Sequence, residues 1–98
     1  MPVVIQGCEC IVLLDSEATD NFIARSLSDR LPCRKRPLRR PFEVKVASRQ
    51  ILMVDQYLRV SLHFEQVILR MSLRVMDIGP QVILGWPFLQ RFNPELIG

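Results

Sequence analysis

The sequence predicts an all-β fold with one or two short helices, and three observations carry that expectation. Leu, Ile and Val account for 31 of the 98 residues, and most fall in short runs with partial alternation, the pattern of half-buried strands. Turn residues break these runs at short intervals. Only two stretches carry a helical apolar period. At this length one domain spanning residues 1–98 is expected, and so small a chain buries only roughly 60–65% of its extended surface, which makes a partner subunit a reasonable expectation.

In chain order, Val3 to Gln6 and Glu9 to Leu14 flank Gly7-Cys8 and read as a hairpin around that dipeptide. Phe22, Ile23, Leu27 and Leu31 share one helical face, with Thr19, Asp20 or Asn21 as N-cap and Pro32 as the stop. Phe42 to Ala47 and Ile51 to Leu58 read as strands around the polar tip Ser48-Arg49-Gln50. Val60 to Phe64 and Val67 to Met76 form a further pair around Glu65-Gln66. After a Gly79-Pro80 turn, Gln81 to Leu84 is a short apolar strand, and Pro87 to Phe92 is a helix that opens on proline and stops at Asn93-Pro94.

Composition narrows the function classes. No apolar run approaches the ~20 residues of a membrane span, and the first residues lack the basic and small-residue features of a secretory signal, so an intracellular chain, cytoplasmic or nuclear, is expected. Cys8, Cys10 and Cys33 are odd in number, and a zinc site would need all three to converge with His63 without any Cys-x-x-Cys pair. Reduced thiols, and no metal or other cofactor, are the expectation. The formal charge is +3, yet Arg30, Arg34, Lys35, Arg36, Arg39 and Arg40 place six of 13 basic residues in eleven positions without an acid. With Pro32 and Pro37 among them and Pro41 directly after, they read as an extended surface connection. It is either a solvated loop or a weak RNA contact through Arg34, Lys35, Arg36, Arg39 and Arg40, although no aromatic residue is interleaved to stack bases.

The chemistry lies at two apolar runs. Val12-Leu13-Leu14 delivers Asp15-Ser16-Glu17-Ala18-Thr19 to a turn, and Val82-Ile83-Leu84 ends at Gly85 before Trp86-Pro87-Phe88-Leu89. Asp and Ser are also ordinary turn and capping residues, so either run alone is a weak signal. Together, with Asn21-Phe22-Ile23 after the first run and Asn93-Pro94 after the second, they resemble the retropepsins, the aspartic proteases of retroviruses and long-terminal-repeat retrotransposons, and most of all the Gypsy-class version. The likeness spans essentially the whole chain.

The resemblance implies a closed β barrel that works as a homodimer without a cofactor on an extended peptide or polyprotein segment, each subunit giving Asp15 to a shared site. Two carboxylates about 3 Å apart cannot both ionise, so they share one proton; the ionised one activates water and the other polarises the scissile carbonyl. Ser16 would brace the two loops across the two-fold axis. Val46 to Met53, with Ala47, Ser48, Arg49, Gln50 and Ile51 at its centre, would be the flap, and Val3 to Ile5 with Leu96 to Ile97 would supply the intersubunit sheet. Trp86 and Phe88 read as core anchors, His63 as a surface strand residue, Asp20 as a helix cap and Asp77 as a turn residue.

Two positions depart from that pattern. Glu17, next to Ala18, stands where the motif has glycine; it would add two carboxylates beside the Asp15 pair and obstruct the cleft. Ser48-Arg49-Gln50 stands where relatives place a glycine in the flap turn. Two readings therefore remain: a retropepsin-type endopeptidase of weakened or lost activity, and a catalytically silent domesticated descendant kept as a dimerisation or interaction module.

Overall fold

The computed structural model describes residues 2–45 and 48–92. Its elements in chain order are β1 (Pro2–Ile5), β2 (Cys8–Leu14), β3 (Phe22–Ala24), α1 (Arg25–Ser28), β4 (Arg36–Lys45), β5 (Ile51–Phe64), β6 (Val67–Met76), β7 (Val82–Leu84) and α2 (Trp86–Phe92). The strands follow the order β1-β2-β7-β3-β6-β5-β4, and β1 also pairs with β5. That last pairing closes β1, β2, β7, β3, β6 and β5 into a six-stranded barrel, with β4 attached outside it along β5. The seam is short, Val4 opposite His63 and Ile5 opposite Leu62. Gln6 extends it: its side-chain carbonyl accepts the Ser61 N–H at 2.7 Å and its own N–H donates to the Ser61 carbonyl at 3.3 Å.

Alternation explains the core. Leu58, Val60 and Leu62 of β5 and Leu73 and Val75 of β6 are fully buried, while the residues between them face out. Val3, Ile5, Cys10, Val12, Val82, Leu84 and Phe88 belong to the same cluster. At the end of α2, Phe92 stacks on Phe88 at 5.2 Å and meets Phe64 edge-on at 5.1 Å. Among the described residues no helix is long and apolar enough to cross a membrane.

Several sequence expectations are corrected here. The first hairpin turns on Gln6-Gly7, one residue earlier than expected: Ile5 pairs with Cys8, and both loop residues take left-handed φ, 51° and 78°. The predicted helix from Phe22 to Leu31 begins as strand. Phe22, Ile23 and Ala24 are all buried, because β3 lies between β6 and β7, and the helix shrinks to the single turn α1, preceded by Ala24 without a side-chain cap. Ile51 to Leu58 and Val60 to Phe64 fuse into one 14-residue strand, since Arg59 simply points outward. The basic connection is itself half strand: Arg36 to Arg40 begin β4, where a register shift between Pro37 and Phe42 on the outer edge of the sheet tolerates the prolines. Val4 and Ile5 of β1 are paired on both sides within the barrel, with β2 and β5, whereas Val3 pairs with Cys10 alone; Leu96 to Ile97 and Asn93-Pro94 lie outside the described residues.

Candidate active site

The turn that carries Asp15 is fixed by backbone bonds to a distant strand. β2 and β7 run parallel, Leu14 beside Leu84, and the Asp15 N–H donates to the Leu84 carbonyl at 3.0 Å. The chain then turns tightly, with the Ala18 N–H on the Asp15 carbonyl at 3.1 Å. The Asp15 carboxylate closes the turn from inside, its Oδ1 accepting the Glu17 N–H at 3.0 Å. Asp15 itself is half-buried and Ser16 is exposed. One oxygen is thus fixed on the backbone, and the carboxyl keeps partial access to solvent.

Behind this turn sits a lock that sequence reasoning missed. Asn21 is 4% exposed; its Oδ1 accepts the Gly85 N–H at 2.9 Å, while its carbonyl accepts the Arg74 N–H at 2.8 Å. The Trp86 N–H donates to the Ala18 carbonyl at 2.9 Å. Glycine is obligatory at 85, because a Cβ there would stand 2.4 Å from both the Ala18 and Asp20 carbonyl oxygens. The sequence offered Asn21 as a helix cap and Gly85 as a strand end; the bond between them spans 64 positions, and no local pattern signals it.

Glu17 is exposed and lines a cleft of about 470 Å³ with Ala18, Thr19, Phe22, Phe42 and Ile83. Its backbone is ordinary, since left-handed φ among the described residues occurs only at Gln6, Gly7, Arg49 and Glu65. Glycine's conformational freedom is therefore not what position 17 requires, and the departure acts through the side chain. Ile83 also lines a second cavity, of about 310 Å³, beneath Ser48, Gln50 and Leu52. Ser48 and Gln50 of the flap tip thus share Ile83 with the Glu17 cleft, and Arg49 between them takes φ 66°. Ala47 lies outside the described residues. Ile51 and Met53 are 62% and 51% exposed, as Leu13 and Leu14 are 50% and 45% exposed beside Asp15.

With this geometry in hand, the sequence matches the PEG10/RTL1 protease domain over residues 11–97. The chain belongs to that family. It is a retropepsin-like domain of retrotransposon origin, as the two motif ends implied. The fold of this PEG10/RTL1-type domain is similar to that of the EIAV protease complexed with the inhibitor HBY-793, with TM-score 0.78, 22% identity, and 94% of this chain and 85% of that one covered. It is also similar to the retroviral protease-like domain of Ddi1 from Leishmania major, with TM-score 0.70, 14% identity, and 92% and 73% covered. No curated protein matches the sequence.

Of the remaining candidates only Asp77 lines either cavity, the one beside Ser48 and Gln50. Asp20 caps no helix and faces Arg74 at 3.9 Å, and Asp77 pairs with Arg25 at 3.1 Å. His63 is exposed on β5 opposite Ile68. Trp86, expected in the core, is 38% exposed, whereas Phe88 is buried. Cys8, Cys10 and Cys33 are free thiols. Burial, and then the neighbouring Cys8, push the Cys10 thiol up to about 11; burial also raises Cys33.

Proposed function

We propose that this domain is an aspartic endopeptidase of the retropepsin type, assembled as a homodimer in which Asp15 from each subunit shares one proton. The observation that supports this reading is the Asp15 turn: a half-buried carboxyl, one oxygen held by the Glu17 N–H, in a turn whose following residues Glu17, Ala18 and Thr19 line a cleft. The ionised Asp15 takes a proton from water while its protonated counterpart polarises the peptide carbonyl. An extended peptide would be held by strand-like main-chain pairing under Ser48, Arg49, Gln50 and Ile51. Ser16, exposed next to Asp15, braces the paired loops. The exposed Leu13, Leu14 and Trp86 around the turn give a second subunit apolar surface to cover.

Catalysis in this reading is weak, because Glu17 narrows the cleft and adds a carboxylate per subunit beside the pair. A second reading, a silent interaction module with the same fold and dimer, is favoured by Glu17 together with the strained tip at Arg49. Cleavage of a peptide library between about pH 4 and 7 by wild type, Glu17→Gly and Asp15→Asn separates them. The endopeptidase reading expects Glu17→Gly to raise the rate by about 10²-fold and Asp15→Asn to abolish it. No cleavage by any of the three, with a dimer seen in sedimentation, leaves the module. A monomer at tens of micromolar by the same measurement removes both.

A further inference from the structure

One outer face of the barrel carries a basic surface that the protease reading does not use. The inward Leu58, Val60, Met71 and Leu73 force Tyr57, Arg59 and Ser61 of β5 and Arg70, Ser72 and Arg74 of β6 outward. The register sets Tyr57 opposite Arg74, Arg59 opposite Ser72 and Ser61 opposite Arg70, and β4 adds Arg36 opposite Tyr57. Every arginine thus faces a hydroxyl residue, and no two face each other directly, an arrangement that holds several like charges on one face with little cross-strand repulsion. Arg59 donates to the Ser72 hydroxyl at 3.5 Å and Arg70 to the Ser61 hydroxyl at 3.3 Å. From α2, Arg91 reaches over and donates to the Arg70 carbonyl.

Arg59, Arg70, Arg74 and Arg91 line one cavity of about 340 Å³ in which Asp20 is the sole acid. Among the described residues, Arg59, Arg70 and Arg91 have no carboxylate partner, and the buried Nε of Arg74, 3.9 Å from Asp20, has no hydrogen-bond acceptor. Guanidinium groups so arranged are complementary to phosphate oxygens. The basic area is larger than one phosphate: by strand geometry Arg70 and Arg74 stand ~14 Å apart along β6, and Arg36 and Arg74 ~10 Å apart across the strands. The half-exposed Tyr57 ring lies between Arg36 and Arg74, where it can stack a base.

We propose that this face binds a single-stranded polynucleotide, with backbone phosphates in the cavity of Arg59, Arg70, Arg74 and Arg91 and a base against Tyr57. The cavity lies apart from the charged run Arg34 to Arg40, of which Arg36 adjoins the same face and in which Lys35 is already paired with Asp29, and it shares no lining residue with the Glu17 cleft. The test is fluorescence anisotropy with a labelled oligouridine of about 12 nucleotides, where contact with three phosphates predicts a ~20-fold loss of affinity between about 50 and 200 mM salt. The triple variant Arg59→Gln/Arg70→Gln/Arg91→Gln should bind at least about tenfold more weakly with a flatter salt dependence, and Tyr57→Ala about tenfold more weakly with the slope unchanged. Thermal melting checks that each variant folds, and Arg91→Gln alone, on the exposed side of α2, serves if the triple does not. Absence of wild-type binding would overturn the proposal. So would loss of binding in Arg34→Ser/Arg39→Ser/Arg40→Ser but not in the triple variant, which moves the contact to the charged run. Equal competition by a phosphoserine peptide of the same charge would assign the cavity to phosphopeptides instead.

Discussion

The Asp15 turn and the flap tip border two cavities that share Ile83, yet they are built on opposite terms. Residues 15–21 are tied to the end of β7 and the start of α2 by the bonds from Asp15 to Leu84, from Trp86 to Ala18 and from Gly85 to Asn21, and a side-chain oxygen fixes the turn from within. The flap hangs from β4 and β5 beyond the Lys45–Ile51 pair, with Ser48, Arg49 and Gln50 all exposed and Arg49 in a left-handed conformation. Position 17 shows what the difference permits. Glu17 can replace glycine without disturbing the turn, because the hydrogen bond it gives Asp15 comes from its backbone. A braced turn tolerates a foreign side chain and keeps its shape; what changes is the space and charge beyond it.

The largest effect should come from the lock behind the turn. Gly85→Ala drives a Cβ into two backbone carbonyls at 2.4 Å and the Ala18 Cβ at 2.9 Å, and neither carbonyl can yield without shifting residues 18–20. A loss of roughly 3 kcal/mol or more in denaturant unfolding is expected. Near-wild-type stability would show that the turn is looser than its contacts imply. Asn21→Ala comes next. It strands the buried Gly85 N–H, costing about 1–3 kcal/mol, and in a Glu17→Gly background it should abolish the gain in cleavage, because the Asp15 turn is then no longer held.

The comparison also says what the sequence could carry. Asp15-Ser16 and Leu84-Gly85 were legible because a strand ending in a turn is a local pattern, and the Val67 to Met76 strand emerged with its bounds intact because alternation on a half-buried strand is local too. Phe22-Ile23-Ala24 was not legible: a strand buried on both sides shows no alternation, and its spacing to Leu27 and Leu31 imitates a helix. The Asn21–Gly85 bond and the arginine cavity depend on strand order and register, which only the closed barrel determines. The left-handed φ of Arg49 could be suspected from the missing glycine but not located.

Within β2, which delivers the turn, Cys10 offers a test by pH. Its thiol is 1% exposed and is pushed up from 9.0 to about 11, chiefly by burial and then by Cys8. Above pH 9 the unfolded chain releases this proton while the folded chain keeps it, so stability should fall as pH rises from 9 to 11. The slope from this group approaches ~1.4 kcal/mol per pH unit and is absent below that window. Cys10→Ala or Cys10→Val should flatten this part of the pH profile measured by denaturant unfolding. If the slope persists in the variant, another group carries it.

The smallest effect on stability belongs to the flap, and it bears most directly on the contrast between the two regions. Arg49 holds φ 66°, a conformation that costs a side-chain-bearing residue about 1–2 kcal/mol and glycine almost nothing. Arg49→Gly relieves that cost in the folded state but gives the unfolded chain more freedom, about 0.4–1 kcal/mol in the opposite direction. The net change in unfolding free energy should therefore be a gain of between about 0 and 1.6 kcal/mol. The same substitution makes the tip more pliable, so in a Glu17→Gly background it should raise cleavage further, through tighter closure over the peptide. That gain should show mainly as a lower KM, since the substrate is held by the flap while the chemistry stays with Asp15. A rise confined to kcat, or no rise at all, would mean that Ser48-Arg49-Gln50 closes adequately as it is and that Glu17 alone separates this cleft from a working one.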